Sequence, residues 1–203
     1  MTRIAALASG RGSNFRSLCE AGKNGSIPGA EFAVLVSDKL SAGALDVARE
    51  FGVRAVAIPP GSFPSREAHE DAVIAALRER EIDLVCLAGY MRILGPKFIG
   101  AFPGRIMNIH PALLPSFPGL HGQRQALDYG VKISGASVHF VDAGCDTGPV
   151  IIQAAVPVLE GDTEEALSAR ILKEEHRIYP EAVRLFCLSR LKIEGRRVRI
   201  LPE

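Results

Sequence analysis

Asn108 and His110 stand two residues apart at the end of an apolar run, and Asp146 lies in the stretch Asp142-Ala143-Gly144-Cys145-Asp146-Thr147-Gly148. Residues two apart in a strand point to the same side. Pro111 ends that strand directly after His110 and turns the chain outward. An amide and an imidazole placed side by side can steady an oxygen that gains negative charge. A carboxylate can fix the charge of the imidazole and relay a proton. Each residue alone has a plainer reading: His110 as a satisfied, partly buried histidine, Asn108 as a loop hydrogen-bonder, Asp146 as a turn former. Taken together, and without a Ser or Cys nucleophile in a motif, they point to direct transfer onto an external amine. No Gly-x-Ser-x-Gly elbow is present, which leaves serine-hydrolase chemistry without support. The five histidines have no Cys or Glu partners at ligand spacing, so no metal is expected.

A second chemical feature is the loop Ser9-Gly10-Arg11-Gly12-Ser13-Asn14, between an apolar run and a helical pattern. Glycine lets backbone approach a ligand closely, and the helix start that follows offers free N–H groups with a partial positive charge. A phosphate suits that environment, with Ser13 and Asn14 adding hydrogen bonds. A tight strand-to-helix turn capped by Ser13 or Asn14 is the plainer alternative. A dinucleotide suits it less, because Phe15 stands where such a loop needs Gly or Ala, and Asp38 is the one residue able to imitate a ribose-binding acid. No Walker lysine follows, which argues against nucleoside triphosphate hydrolysis.

The elements that must position these groups follow from apolar patterning. Apolar strands are expected at 4–8, 32–36, 53–58 and 84–88, alternating with helices at 14–21, 42–51 and 66–80. Strands apolar on both faces and separated by helices imply parallel strands covered on both sides. The second half reads as strands at 105–109, 134–141 and 150–158, helices at 123–129 and 163–186, and a terminal hairpin over 191–201 that turns at Glu194-Gly195. Asp162 or Thr163 is expected to cap the long helix. The expected class is α/β: a Rossmann-like, doubly wound, mostly parallel sheet with helices on both faces, in one domain over 1–203 made of halves 1–100 and 101–203.

Composition limits the partners. The chain has 203 residues, 47% hydrophobic and 23% charged, with formal net charge +1, the range of an ordinary globular domain. Nothing argues for nucleic acid, and the closing run Arg196, Arg197, Arg199 reads as a solvated edge strand. No apolar stretch approaches the length of a membrane span, and the short apolar run at the N-terminus lacks the features of a signal peptide. Cys19, Cys86, Cys145 and Cys187 share no ligand spacing; Cys19, Cys86 and Cys187 read as buried thiols. A cytoplasmic protein without membrane contact, a monomer or homodimer, is expected.

Several ordered blocks resemble a known family, the folate-dependent phosphoribosylglycinamide formyltransferases, from about Ile4 to Pro180. They are Gly12-Ser13-Asn14; Ala88-Gly89-Tyr90-Met91-Arg92-Ile93-Leu94; Asn108-Ile109-His110-Pro111 with Leu113-Leu114-Pro115; and Pro118-Gly119-Leu120-His121. Gly135-Ala136-Ser137-Val138-His139-Phe140-Val141-Asp142 leads on to Asp146-Thr147-Gly148-Pro149, and Glu175-His176-Arg177-Ile178-Tyr179-Pro180 closes the match. The resemblance implies formyl transfer from 10-formyltetrahydrofolate to the amine of glycinamide ribonucleotide. It makes Asn108, His110 and Asp146 the catalytic trio, Gly12, Ser13 and Asn14 the phosphate loop, and Glu175 the ribose-binding acid. Folate binding falls to Met91, Arg92, Ile93, Leu94, Asn108, Val141 and Asp142, and more weakly to Arg66, with Arg92 addressing a glutamate carboxylate. Ser137 and His139, on one strand face, support the trio from behind. The halves become a phosphate-binding and a catalytic, folate-binding half. The chain departs from the family pattern at Ser116-Phe117 and Gly122-Gln123, beside the trio's loop.

Two other activities compete: a formyltetrahydrofolate hydrolase, with water in place of the amine, and a nucleotide-dependent oxidoreductase of similar fold. The hydrolase is less expected than the transferase, since such hydrolases carry an N-terminal regulatory domain and the sequence reads as opening on the first strand. Phe15 speaks against the oxidoreductase.

Overall fold

A computed structural model describes residues 1–202. The chain divides into two compact units, Met1–Met107 and the chain from Asn108 onward.

In the first unit, strands β1 (Thr2–Leu7), β2 (Ala30–Ser37), β3 (Arg54–Ala57) and β4 (Leu84–Leu87) alternate with helices α1 (Ser13–Lys23), α2 (Gly43–Glu50) and α3 (Arg66–Arg78). Their order is β3-β2-β1-β4, and every pairing is parallel. β4 is buried along its whole length and β1 along its last four residues, as strands covered on both faces must be. The chain moves from β1 outward to β3, then returns to the other side of β1 for β4. Because such crossovers are right-handed, α1 and α2 cover one face and α3 the other. The reversal leaves a switch point at the carboxyl ends of β1 and β4, where ligands bind in open α/β sheets.

Phe15 is fully buried under β2, with its ring edge-on to Phe32 at 6.3 Å. One helix lacked a sequence signal: α4 (Pro96–Ala101), with Pro96 at its first position. Six residues containing Gly100 are too few to show helical periodicity. Strand β5 (Ile106–His110) spans the division, with Asn108 and His110 in the second unit.

The second unit holds helix α5 (Gly122–Tyr129), strands β6 (Ile133–Phe140) and β7 (Val150–Pro157), the 24-residue helix α6 (Glu164–Cys187), and the hairpin β8 (Leu191–Glu194) and β9 (Arg197–Ile200). Here the sheet departs from the all-parallel pattern of the first unit, in keeping with a mostly parallel sheet. β6 and β7 run antiparallel, β8 and β9 likewise, and the short β7–β9 pairing is parallel. The connection from Phe140 to Val150 is too short for a parallel crossover, which needs a dozen or more residues. Thr163 caps α6, its Oγ1 accepting from the Ala166 N–H at 3.2 Å. The helix lays Leu167, Ile171, Ile178 and Val183 against β6 and β7, each worth ~1.5–3 kcal/mol when fully buried. Cys19 and Cys86 are buried; Cys187 is only half-buried, because it lies at the last residue of α6.

Among the described residues no helix is long and apolar enough to cross a membrane.

Candidate active site

β5 presents Asn108 and His110, β6 presents His139, and the loop between β6 and β7 presents Asp146. The four side chains meet. Asn108 Nδ2 lies 3.2 Å from His139 Nε2 and donates to Asp146 Oδ1 at 3.3 Å. His110 Nδ1 is 3.3 Å from Asp146 Oδ2. The Gly119 N–H donates to the same oxygen at 2.8 Å. His110 and His139 are almost completely buried, at 3% and 2% exposed, so their polar atoms must find partners inside the protein.

The partners fix which nitrogens carry protons. The Phe117 carbonyl, 2.7 Å from His110 Nε2, can only accept, so Nε2 bears a hydrogen. Nδ1 gains one only when the ring is charged, and that proton turns the contact with Asp146 into a charge-assisted bond. His139 Nδ1 donates to the Phe140 carbonyl at 2.8 Å. Its Nε2 therefore accepts from Asn108 when the ring is neutral.

Burial and charge work against each other at this site. Burial pushes the His110 pKa below the ordinary imidazole value. Asp146 and the Phe117 carbonyl oppose that shift, and His139 reinforces it. Burial alone would raise Asp146, but hydrogen bonding by His139 and the Gly119 amide, with the charge of His110, holds it at about 2. Asp146 is thus an anion at any physiological pH, and an anchor rather than a proton donor.

The two potential nucleophiles nearby are not activated. Cys145 Sγ is 3.6 Å from Asp146 Oδ2, and burial together with the Asp146 charge raises its pKa, which keeps it a thiol. Ser137 is fully buried. It donates to the Ala112 carbonyl at 2.7 Å and accepts from the Leu114 N–H and from Gln153 Nε2. It braces the loop after β5, and these hydrogen bonds go to none of the four residues. The pairing register of β6 and β7 shifts between Val138, which faces Ile152, and His139, which faces Val150, so the extra residue, Ile151, lies on β7.

The other sequence-predicted positions in this unit are on α6 and in the loop that carries Asp146. Glu175 is buried on α6, at 7% exposed. Val141 and Asp142 open the Asp146 loop. Asp142 Oδ1 accepts from the Gly144 N–H at 3.1 Å and from Thr147 Oγ1 at 2.6 Å, which closes the loop on itself.

The first unit carries the remaining segments. Gly12, not Ser13 or Asn14, is the cap residue of α1. It has φ +83°, and no side chain bonds to the first turn. A Cβ on Gly12 would come within 2.6 Å of the Ala44 backbone, so glycine is required twice over. A helix start without a side-chain cap suits a ligand that accepts hydrogen bonds from backbone N–H groups. Ser9 N–H donates to the Gly89 carbonyl at 3.0 Å, and Ser9 Oγ accepts from the Met91 N–H at 2.9 Å. The segment at 91–94 therefore sits at the switch point of this unit. Met91 and Ile93 are exposed and Leu94 is buried. Arg66 braces this segment: it donates to the Ile93 carbonyl at 2.8 Å and pairs with Glu70, whose Oε1 also accepts from the Gly95 N–H.

Residues 2–183 match the model of the formyl transferase family. The chain belongs to that family. A phosphoribosylglycinamide formyltransferase of Mycobacterium tuberculosis is 47% identical over 194 residues, 96% of this chain and 89% of that one. The crystal structure of glycinamide ribonucleotide transformylase 1 from Symbiobacterium toebii is 56% identical, with TM-score 0.98 over 100% of this chain and 95% of that one. The trifunctional purine biosynthetic protein adenosine-3 of Drosophila pseudoobscura is 44% identical over 192 residues, and this chain spans only 14% of its length.

The sequence reading of this formyltransferase missed three contributors. The Phe117 carbonyl and the Gly119 amide are backbone groups, which any residue supplies. The left-handed φ of 54° at Phe117 that accompanies them has no side-chain signature, though Pro118-Gly119 marked a turn. The third is Cys145, whose contact with Asp146 needs the loop's fold.

Proposed function

We propose that this chain transfers the formyl group of 10-formyltetrahydrofolate to the amine of glycinamide ribonucleotide, giving formylglycinamide ribonucleotide and tetrahydrofolate. The names of the relatives support the formyl transfer and its glycinamide ribonucleotide acceptor, and the resemblance of the sequence blocks to the family supports the folate donor. The observation that carries the chemistry is the buried network of Asn108, His110, Asp146 and His139 with no activated nucleophile beside it. Such a site serves one-step attack by an incoming amine rather than a covalent enzyme intermediate.

His110 Nε2–H is the donor for the formyl oxygen; it exchanges the Phe117 carbonyl for that oxygen. Asn108 Nδ2–H assists from the same strand face. As the amine nitrogen bonds to the formyl carbon, the carbonyl π pair moves onto oxygen, where both donors meet it. When that pair returns, the bond from the formyl carbon to the folate nitrogen breaks. The amine loses one proton and the folate nitrogen gains one, by way of water that Asp146 orders. Asp146 remains an anion throughout and steadies charge on His110. Gly12, Ser13 and Asn14 bind the phosphate and Glu175 the ribose. Met91 to Leu94, Val141 and Asp142 take the folate, with Arg92 on its glutamate carboxylate and Arg66 holding the 91–94 segment. Ser137 and His139 keep the catalytic side chains in place. No resident metal takes part, the partners are these small molecules and neither nucleic acid nor a membrane, and the reaction is cytoplasmic.

The test mixes the purified protein with a 10-formyl folate, with and without glycinamide ribonucleotide, and follows loss of the formyl folate by absorbance. Turnover that depends on the ribonucleotide is expected. Equal turnover without it would make the protein a hydrolase and overturn the acceptor.

A further inference from the structure

The closing arginine run, read from sequence as a solvated strand edge, has one member with a specific task. The hairpin turns through Gly195 and Arg196, with Gly195 at φ +62° in the first central position, the place glycine takes in a two-residue turn. Arg196 therefore sits at the tip. Its Nη2 donates to the carbonyl of Thr147 at 3.0 Å. The hairpin is well placed to hold that carbonyl still. Its base is closed by Leu201 N–H to the Arg190 carbonyl at 2.8 Å and Arg190 Nε to the Leu201 carbonyl at 2.7 Å, and β9 joins β7 where Val150 faces Arg197.

Thr147 directly follows Asp146, whose backbone is left-handed at φ 54°. A non-glycine residue there carries strain of ~1–3 kcal/mol and keeps the conformation only where its surroundings over-determine it. On the Asp146 side chain the constraints are Gly119 N–H and Asn108. On the backbone beyond it they are Thr147 Oγ1 to Asp142 and Arg196 to the Thr147 carbonyl. On the carboxyl side the loop is also tied to β6, where the Pro149 carbonyl accepts from the Phe140 N–H at 3.0 Å; the Arg196 bond acts one residue from Asp146, on the Thr147 carbonyl itself.

We propose that Arg196 is a positioning residue for the Asp146 loop: by holding the Thr147 carbonyl it keeps Asp146 aimed at His110 and Asn108. This role rests on the formyl-transfer reading for its kinetic consequence, but not for its structural one.

Two variants of the full chain, Arg196→Ala and Arg196→Lys, test it by kinetics and by amide hydrogen exchange. Arg196→Ala is expected to lower kcat about threefold to tenfold, the scale of one such hydrogen bond. KM for the ribonucleotide and the thermal midpoint should stay near wild type, and exchange over 142–148 should speed up. Arg196→Lys, which can still reach one carbonyl, should recover most of the loss. Unchanged kcat in an active protein, a loss that tracks a fallen midpoint and is not rescued by lysine, or unchanged exchange over 142–148 would each overturn the proposal. If wild type shows no ribonucleotide-dependent turnover, the functional reading fails, while the exchange comparison still decides whether Arg196 anchors the loop.

Discussion

The two units build their ligand-facing groups from different materials. In the first, all-parallel unit the work is done by backbone: the left-handed turn at Gly12, the uncapped start of α1, and the main-chain bonds that seat 89–91 against Ser9. In the second unit it is done by side chains inside strands: Asn108 and His110 on β5, Ser137 and His139 on β6. A strand covered on both faces has no tolerance for polar side chains along its length, so chemistry moves to its end. The strands of the second unit accept polar groups only because each one finds a partner, and that dependence makes a catalytic network also a structural one.

The contrast can be broken most sharply at the trio. His110→Ala and Asn108→Ala should each lower turnover by at least about a hundredfold, the usual loss for an oxyanion donor. Near-normal steady-state rates in either would end the assigned roles.

Asp146→Asn should then show the structural side. The folded-state pKa of Asp146, about 2, lies below its unfolded value of 3.8, so its contribution is present above 3.8 and lost as pH falls through about 2. It amounts to about 2 kcal/mol. Chemical denaturation at a series of pH values should show wild type losing its advantage over the variant in that window; a constant gap would contradict it. His110 adds an earlier loss. Its folded pKa is lowered, so the unfolded chain takes the proton first and stability declines as pH drops below about 6.5. Because Asp146 opposes that lowering, an NMR titration of His110 should move further down in Asp146→Asn; an upward shift would refute the account of its charge.

Gly12→Ala tests the backbone unit. The substitution places a methyl group against Ala44 in a left-handed backbone and should raise the ribonucleotide KM about tenfold, with little change in kcat. An unchanged KM would detach this loop from the phosphate. The smallest effect belongs to Ser137→Ala, which orphans the Leu114 N–H and a Gln153 amide hydrogen bond. It should cost about 1–2 kcal/mol in denaturant unfolding and leave turnover within about threefold; a hundredfold loss would move Ser137 into the catalytic set.

Legibility in the sequence follows the same divide. The strands of the first unit could be placed from apolar runs alone, and Asn108 with His110 from a spacing of two. The antiparallel turn of β6 into β7 is signalled as well, by a connection too short for a crossover. Period-two reasoning put Ser137 and His139 on one face of β6, but it could not tell that Ser137 bonds to Ala112, Leu114 and Gln153 while His139 lies beside Asn108. α4 is too short and too rich in glycine for periodicity to register. The carbonyl of Phe117 and the amide of Gly119 belong to the backbone, so no residue type announced them. Arg196 looked like a solvated charge because nothing local marks a side chain that reaches a loop 49 residues earlier.

The central claim is that the buried Asn108, His110 and Asp146 network delivers a formyl group to an amine rather than to water. Tracing an isotope-labelled formyl group from the folate in the presence of glycinamide ribonucleotide tests it most directly. The account predicts label in the amide of the ribonucleotide product, with transfer collapsing in His110→Ala. Label recovered as free formate at the wild-type rate would contradict it.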